Sequence, residues 1–476
     1  MAGTGRPVAG RLPGVLAHAC ADVAEAGPGD AVAGVAPRFV ARPAGVAEAA
    51  AVLAAASSLG MTAVPRGSGT RITWGTPPAS CDLVIDMSRM NRVLEHAAGD
   101  LVVRVEAGVG LDQLARVLAQ AGQRLALDPP PGGNGSTPQP RSHSPATGPP
   151  RGTIGGVLAT GAAGPLRLRY GTPRDLAIGI TVVRADGTVA KSGGKVVKNV
   201  AGYDLGKLFA GSYGTLGLIA EAVFRLHPLP AATSFVTVDA GGPDEACDAV
   251  AAASASPLAP SAVELDRPAR GEPFRVGVLL EGDEEGVAER TARMTELLGS
   301  GGALSRQPAT RVPYASPVPP ATPLPSASPS APRWWGRGAG AATEGTLIRI
   351  TFWAAELARV LAAVDAAGSA AGLDPAVGGS AAAGVLYAAV RTQPGAEEGV
   401  ARFVQDLRDA VGRPPAAAGG EGPPAGGSAV VLRAPEGVRA AVDIWGPVPG
   451  LSLMRAIKDQ FDPGRTMAPG RFAGGI

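Results

Sequence analysis

Apolar residues recur at helical spacing through residues 46–59 (VAEAAAVLAAASSL), and the run stops at Gly60, a residue suited to a helix C-terminus. A short strand is predicted at Thr62–Pro65, followed by a glycine-rich turn and a second strand, LVID, at Leu83–Asp86. Residues 101–106 (LVVRVE) alternate as a half-buried strand does. LDQLARVLAQAG (111–122) places Leu111, Leu114, Ala115 and Leu118 on one helix face and closes on Gly122. ITVVRADGTVA (180–190) reads as a hairpin with Asp186-Gly187 near its turn, and residues 216–224 as another strand.

The second half repeats a strand-then-helix pattern. Strands are predicted at 274–280, at 346–352 and near 429–433. Helices are predicted at 284–298 and at 355–368, the latter ending on Gly368, and a further strand–helix pass occupies 383–411. No regular βαβ alternation runs through the chain, so the fold class is α+β, not a doubly wound sheet.

Three stretches interrupt this pattern: 131–150, 313–332 and 414–428 are Pro/Gly/Ser-rich, hold almost nothing a core could bury, and read as solvated loops or linkers. The 476 residues include 68 Gly and 45 Pro, and length alone suggests two or three domains. A net charge of +2 with no basic stripe makes nucleic acid a poor partner. Three scattered cysteines, Cys20, Cys81 and Cys247, cannot ligate an iron–sulfur cluster or a zinc finger by themselves and are consistent with a reducing cytoplasm. No secretory signal or membrane-spanning stretch is evident, so a cytoplasmic location is expected, with any membrane association made through a partner.

Three small-residue elements carry the chemistry. Pro65-Arg66-Gly67-Ser68-Gly69-Thr70 follows a strand and suits a nest of backbone N–H groups for a diphosphate; it has neither the Walker A lysine nor the G-x-G-x-x-G spacing. The stretch 153–164 is uncharged and too rich in glycine for an ordinary helix, which suits close approach of backbone to a large flat ligand. Residues 211–219 (GSYGTLGLI) lead from a third small-residue run into a strand. Each alone also reads as a tightly packed turn.

Together, PRGSGT, TIGGVLATGAAGPLRLRYGTPRDLAIGITVVRADG, the block 191–230 and FDPGRTMAPGRF resemble the FAD-binding module of the vanillyl-alcohol oxidase / p-cresol methylhydroxylase (PCMH) superfamily. Within it the chain resembles the FAD-binding (E-type) subunits of bacterial glycolate oxidases, densely over residues 39–230. The resemblance implies a PCMH-type FAD-binding domain of two α+β subdomains at 36–230, after an N-terminal extension at 1–35. A smaller α+β substrate or cap domain would follow at 231–450, and 451–476 would pack back on the FAD domain. It implies that Pro65, Arg66, Gly67, Ser68, Gly69 and Thr70 hold the FAD diphosphate. Pro129, Thr153, Ile154, Gly155, Gly156, Ala159 and Gly161 would line flavin and ribityl chain, while Gly217, Leu218 and Ile219 offer backbone contacts. PRGSGT holds no His or Cys, so non-covalent FAD is expected.

The implied activity is oxidation of a 2-hydroxy acid of the glycolate or D-lactate type, with electrons passing through FAD to an acceptor. Arg349 and Arg391 are the candidates for the substrate carboxylate. Catalytic relatives carry a His-rich metal site in the second domain; this chain has four histidines (His18, His96, His143, His227), none beyond 227, and no metal is expected. Partners implied are a homologous flavin subunit and an iron–sulfur subunit. The alternatives are a stand-alone flavin oxidase or dehydrogenase of another alcohol or sugar, and a non-catalytic FAD-binding assembly subunit. The lysines at 191, 195, 198 and 207 read as a solvated loop or a docking patch, and Trp334-Trp335 as packing or a partner contact.

Overall fold

The structure is a computed structural model describing residues 14–130, 152–194, 204–299, 326–338, 345–413 and 426–476. Its first half builds two larger sheets and a short two-stranded ladder of Gln123–Arg124 with His227–Pro228. In one, strands Phe39–Ala41, Leu83–Asp86 and Ala63–Arg66 run parallel, with Val23–Glu25 added antiparallel at the edge. The N-terminal segment therefore supplies a strand to this sheet. In the other, five antiparallel strands lie in the order Val93–Ala97, Val102–Glu106, Leu218–Arg225, Ala177–Val183, Val189–Gly193. One core joins the two sheets: Phe39, Leu83 and Ile85 share it with Val103, Leu114, Ile154 and Phe224.

The second half is one eight-stranded antiparallel sheet. Its order is Ser326–Ser328, Ala232–Ala240, Phe274–Gly282, Ala262–Arg267, Ala376–Gly379, Val385–Val390, Thr346–Thr351, Ser428–Arg433. Side chains alternate between faces along a strand. One face (Val263, Leu265, Val276, Ile348, Ile350, Ala388) packs under helices Pro243–Ala255, Leu357–Ala371 and Glu397–Gly412 through Val250, Leu361, Val364, Phe403 and Leu407. The other face turns toward the first half: Ala262, Phe235 and Leu279 pack with Ala126 and Leu166. An Arg124–Glu281 ion pair at 2.6 Å, with Tyr170 Oη donating to the same carboxylate, ties the two halves together.

Several sequence expectations change. Residues 153–164 do contain a helix, Ile154–Thr160. Thr153 caps it by accepting from the Gly156 N–H, and it ends on Gly161 at φ 62°. The helix expected to stop at Gly368 runs to Ala371 and is capped by Gly372 at φ +64°; Gly368 is small because Pro375 packs on it. Residues 326–328, inside the second Pro/Ser stretch, form an edge strand on Ala232–Ala240. Trp334 and Trp335 pack over Gly277, where a Cβ would lie 2.7 Å from Trp334, and Trp335 meets Phe235 edge-on. The stretch 131–150, His143, Lys195 and Lys198 lie outside the described residues; Lys191 is exposed and Lys207 pairs with Asp204.

Candidate functional site

The strand Ala63–Arg66 delivers the turn Gly67–Thr70 against the N-terminus of helix Ile154–Thr160. Their approach depends on a missing side chain: a Cβ on Gly67 would sit 2.1 Å from Thr153 Oγ1. The backbone N–H groups of Gly67, Ser68 and Thr70 make no hydrogen bond among the described residues. Such a turn is an anion nest. The cavity here is about 80 Å³ and is bounded by the turn, by Thr153, Gly156 and Ala159, and by Arg71, Tyr213 and Arg471. That volume holds one part of a dinucleotide, since pockets for whole ligands run to several hundred Å³.

The positions anticipated from sequence divide into two groups. Pro65 to Thr70, Thr153, Gly156 and Ala159 line the cavity. Arg66 does so mainly as structure, its guanidinium held between Asp30 and Asp86 at 2.9 Å each. Ile154 is core, Gly155 admits Ala107 at a distance where a Cβ would clash, and Gly161 backs onto Gly211. Leu218 and Ile219 are set into the five-stranded sheet instead, and Gly217, just before that strand, lies against Val183 O. From that loop the cavity receives Tyr213 and Gly214. Pro129 is buried outside the lining, while its neighbour Pro130 accepts from Arg71 Nη2 at 2.5 Å.

Three buried residues complete the site without having been singled out from sequence. Arg71 and Arg471 are almost fully buried, and burial pulls both guanidinium groups down to about 10, so each stays cationic at neutral pH. Arg471 Nη2 donates to the carbonyls of Ile72 and Trp74, whereas its Nη1 and Nε have no partner. The Tyr213 hydroxyl is likewise buried and unpartnered. Burial pushes that phenol up, against the pull of Arg349, Arg471 and Arg71 nearby.

Arg349 belongs to this cluster. On strand Thr346–Thr351 it faces away from the buried Ile348 and Ile350, directly across from Tyr387, and its Nε is buried without a partner. Tyr387 Oη accepts from Arg167 Nη2 at 3.2 Å. Arg391 does not join them. One residue past the end of strand Val385–Val390, it lines a separate cavity of about 970 Å³ with Asp266, Arg275, Trp334 and Arg337. The smaller cavity is the better candidate for chemistry because unpaired, buried donors converge there.

Arg167 also faces a buried acid, Glu264. Glu264 is fully enclosed and accepts from Ser380 Oγ at 2.5 Å. Burial raises its carboxyl to about 8, with Ser380 and Arg167 pulling down and Asp128 and Asp266 pushing up. Because the folded state holds this proton more tightly than the unfolded chain, the resulting stability is full below about pH 4.5 and is lost as pH climbs to about 8. Glu264→Gln is expected to flatten that loss, at most about 1.4 kcal/mol per pH unit. Thermal melts of both proteins at several pH values across this window check it; identical slopes would contradict it.

The donor set suits a flavin dinucleotide: backbone N–H groups of the turn for phosphate, small residues for close approach, and the remaining guanidinium N–H groups of Arg471 and Arg349 with the Tyr213 phenol beside them. The FAD binding domain family matches residues 37–143 and 141–193. The chain is 34% identical over 233 residues to the glycolate oxidase subunit GlcD of Bacillus subtilis (strain 168), covering 49% of this chain and 46% of that protein. It is 34% identical over 199 residues to a D-lactate dehydrogenase of Archaeoglobus fulgidus, 41% of each. To the glycolate oxidase subunit GlcE of Escherichia coli (strain K12) it is 32% identical over 170 residues, 36% of this chain and 43% of that one. The chain thus spans about half the length of these relatives. In fold, an alkyldihydroxyacetonephosphate synthase structure superposes at TM-score 0.62 over 92% of this chain and 78% of its own, at 17% identity.

Proposed function

With a PCMH-type, α+β FAD-binding domain carried in the first half of the chain, we propose that this protein is an FAD-dependent oxidoreductase that oxidises a 2-hydroxy acid of the glycolate or D-lactate type. The observation that carries the reading is the cluster of Arg71, Arg349 and Arg471 with Tyr213 and Tyr387, enclosed between the glycine turn and the eight-stranded sheet. A carboxylate is the natural occupant of such a chamber, because guanidinium groups only donate and pair with carboxylates in two-pronged fashion. Two separate cores, one under the first two sheets and one under the eight-stranded sheet, support domains at 36–230 and 231–450. The segment 451–476 returns to the first domain through a parallel bridge between Ala63 and Met467.

Gly67–Thr70, Thr153, Gly156 and Ala159 would hold the dinucleotide, and bound FAD would supply the two-electron oxidation. Among the described residues, those lining the cavity include no His or Cys, which supports non-covalent binding. Cys81 packs with Val64 and Val84, its thiol pushed up to about 12 by burial and donating to Leu83 O. Arg349 would seat the substrate carboxylate, and the enclosing sheet excludes water from it. GlcD and GlcE are both named as subunits, which supports work inside a complex, with onward electron transfer through an iron–sulfur partner. Among the described residues no helix is long and apolar enough to cross a membrane, and a cytoplasmic site of action is part of the proposal.

The test is anaerobic mixing of the flavoprotein with glycolate or D-lactate while the visible flavin bands are followed. Bleaching by the wild-type chain, alone or with its partner subunits, is expected. Arg349→Ala should need about ten to a hundred times more substrate for the same rate, as follows from losing one charged hydrogen-bonded contact. Equal substrate dependence in the variant would remove Arg349 from the site.

A further inference from the structure

We propose that Tyr213 is a specificity-determining residue whose phenol donates a hydrogen bond to an oxygen of the bound 2-hydroxy acid. The proposal rests on the reading of the site given above. Tyr213 sits between Ser212 and Gly214 in the left-handed region, at φ 56°, where residues other than glycine seldom settle. Strain of this kind persists where the surroundings hold it. Here the Tyr213 N–H donates to Ala159 O at 2.8 Å, and its ring meets Trp445 edge-on at 5.1 Å and Phe472 at 6.0 Å. No room is left on the Gly75 side, where a Cβ would lie 3.2 Å from the tyrosine ring.

The clamp aims a hydroxyl that has no partner. Tyr213 is 8% exposed, yet its Oη makes no hydrogen bond among the described residues. Its charged neighbours are Arg349, Arg471 and Arg71, and none of these can accept a proton. Tyr387 is also near, and its oxygen accepts from Arg167 but makes no hydrogen bond with the Tyr213 hydroxyl. Burial keeps the Tyr213 phenol protonated at neutral pH, so it is a donor there and not a base. A donor fixed among donors lacks one thing, an acceptor oxygen carrying negative charge. The same cavity holds the glycine turn, so the tyrosine stands where the substrate side and the cofactor side of the site meet.

The experiment uses the holoprotein with its flavin and oxalate, an unreactive dianion shaped like a 2-hydroxy acid. Binding is read from the perturbation of the flavin spectrum in wild type and Tyr213→Phe, which preserves the ring contacts. Full flavin stoichiometry is expected in the variant, with an oxalate Kd raised about tenfold or more. An unchanged Kd with oxalate bound by both proteins would overturn this inference while leaving the proposed function standing. Loss of flavin from folded Tyr213→Phe would also overturn it, because the hydroxyl would then serve the cofactor. Oxalate that fails to bind the wild-type flavoprotein, together with no bleaching by any 2-hydroxy acid, would overturn both.

Discussion

Gly67→Val is expected to purify as a folded protein that has lost its flavin. The turn and the helix at Ile154–Thr160 approach so closely that even a methyl at position 67 would lie 2.1 Å from Thr153 Oγ1 and 3.2 Å from Thr153 Cβ. Valine must therefore push the turn away from Thr153 and turn aside the three free N–H groups. Overpacking of this order costs about 1–3 kcal/mol, enough to weaken cofactor binding about tenfold to a hundredfold. The obstacle is the threonine side chain, so Gly67→Ala combined with Thr153→Ala should retain more flavin than Gly67→Ala alone. Gly69 behaves differently: nothing lies within 4 Å of its would-be Cβ, and only its φ of +76° resists substitution. Flavin-to-protein absorbance ratios of the purified variants decide the matter, and stoichiometric flavin in Gly67→Val would remove the turn from the cofactor site.

The second large effect is on stability. Lys458, on helix Leu451–Phe461, is wholly buried and donates to Asp462 Oδ2 at 2.6 Å, to Thr215 O at 2.7 Å and to Met467 O at 3.0 Å. Asp462 in turn accepts from the N–H groups of Thr466 and Met467. These bonds fasten the C-terminal segment to strand Ala63–Arg66, where Ala63 pairs with Met467, and to the loop that presents Tyr213. Lys458→Met leaves a buried carboxylate without its counter-charge, which costs about 3–5 kcal/mol. Lys458→Met with Asp462→Leu should cost less than the two single changes summed, because no charge is then stranded. Denaturant titration of the three variants tests this; a loss under about 1 kcal/mol in Lys458→Met would show that the pair carries little.

Much of the first half was legible because local rules and tertiary packing agree there. The helix at Val46–Ser58, the strand Leu83–Asp86 and the hairpin over 177–193 follow apolar period and turn chemistry. The glycine-rich helix at 154–160 was not legible, since its glycines serve contacts with Ala107 and Thr153 that exist only after folding. Arg471 stood within a quoted motif, FDPGRTMAPGRF, but nothing local places it beside Ile72 and Trp74, nearly 400 residues away. A tyrosine between small residues in GSYG was the one available signal for Tyr213. Arg349 and Arg391 look equivalent as strand arginines, and only the folded sheet separates them, with Arg349 across from Tyr387 and Arg391 past the end of its strand. The order of that sheet, with Ala262–Arg267 beside Ala376–Gly379, joins strands about a hundred residues apart and leaves no mark in the spacing of apolar residues.

Everything proposed for this chain depends on FAD being held without a covalent bond, in the cradle formed by Gly67–Thr70 and Thr153. Acid precipitation of the purified protein, with the visible spectrum taken of supernatant and pellet, tests it most directly. Flavin bands are expected to move entirely to the supernatant, at about one FAD per chain. Colour held in the pellet, or a folded protein that is colourless and takes up no added FAD, would contradict it.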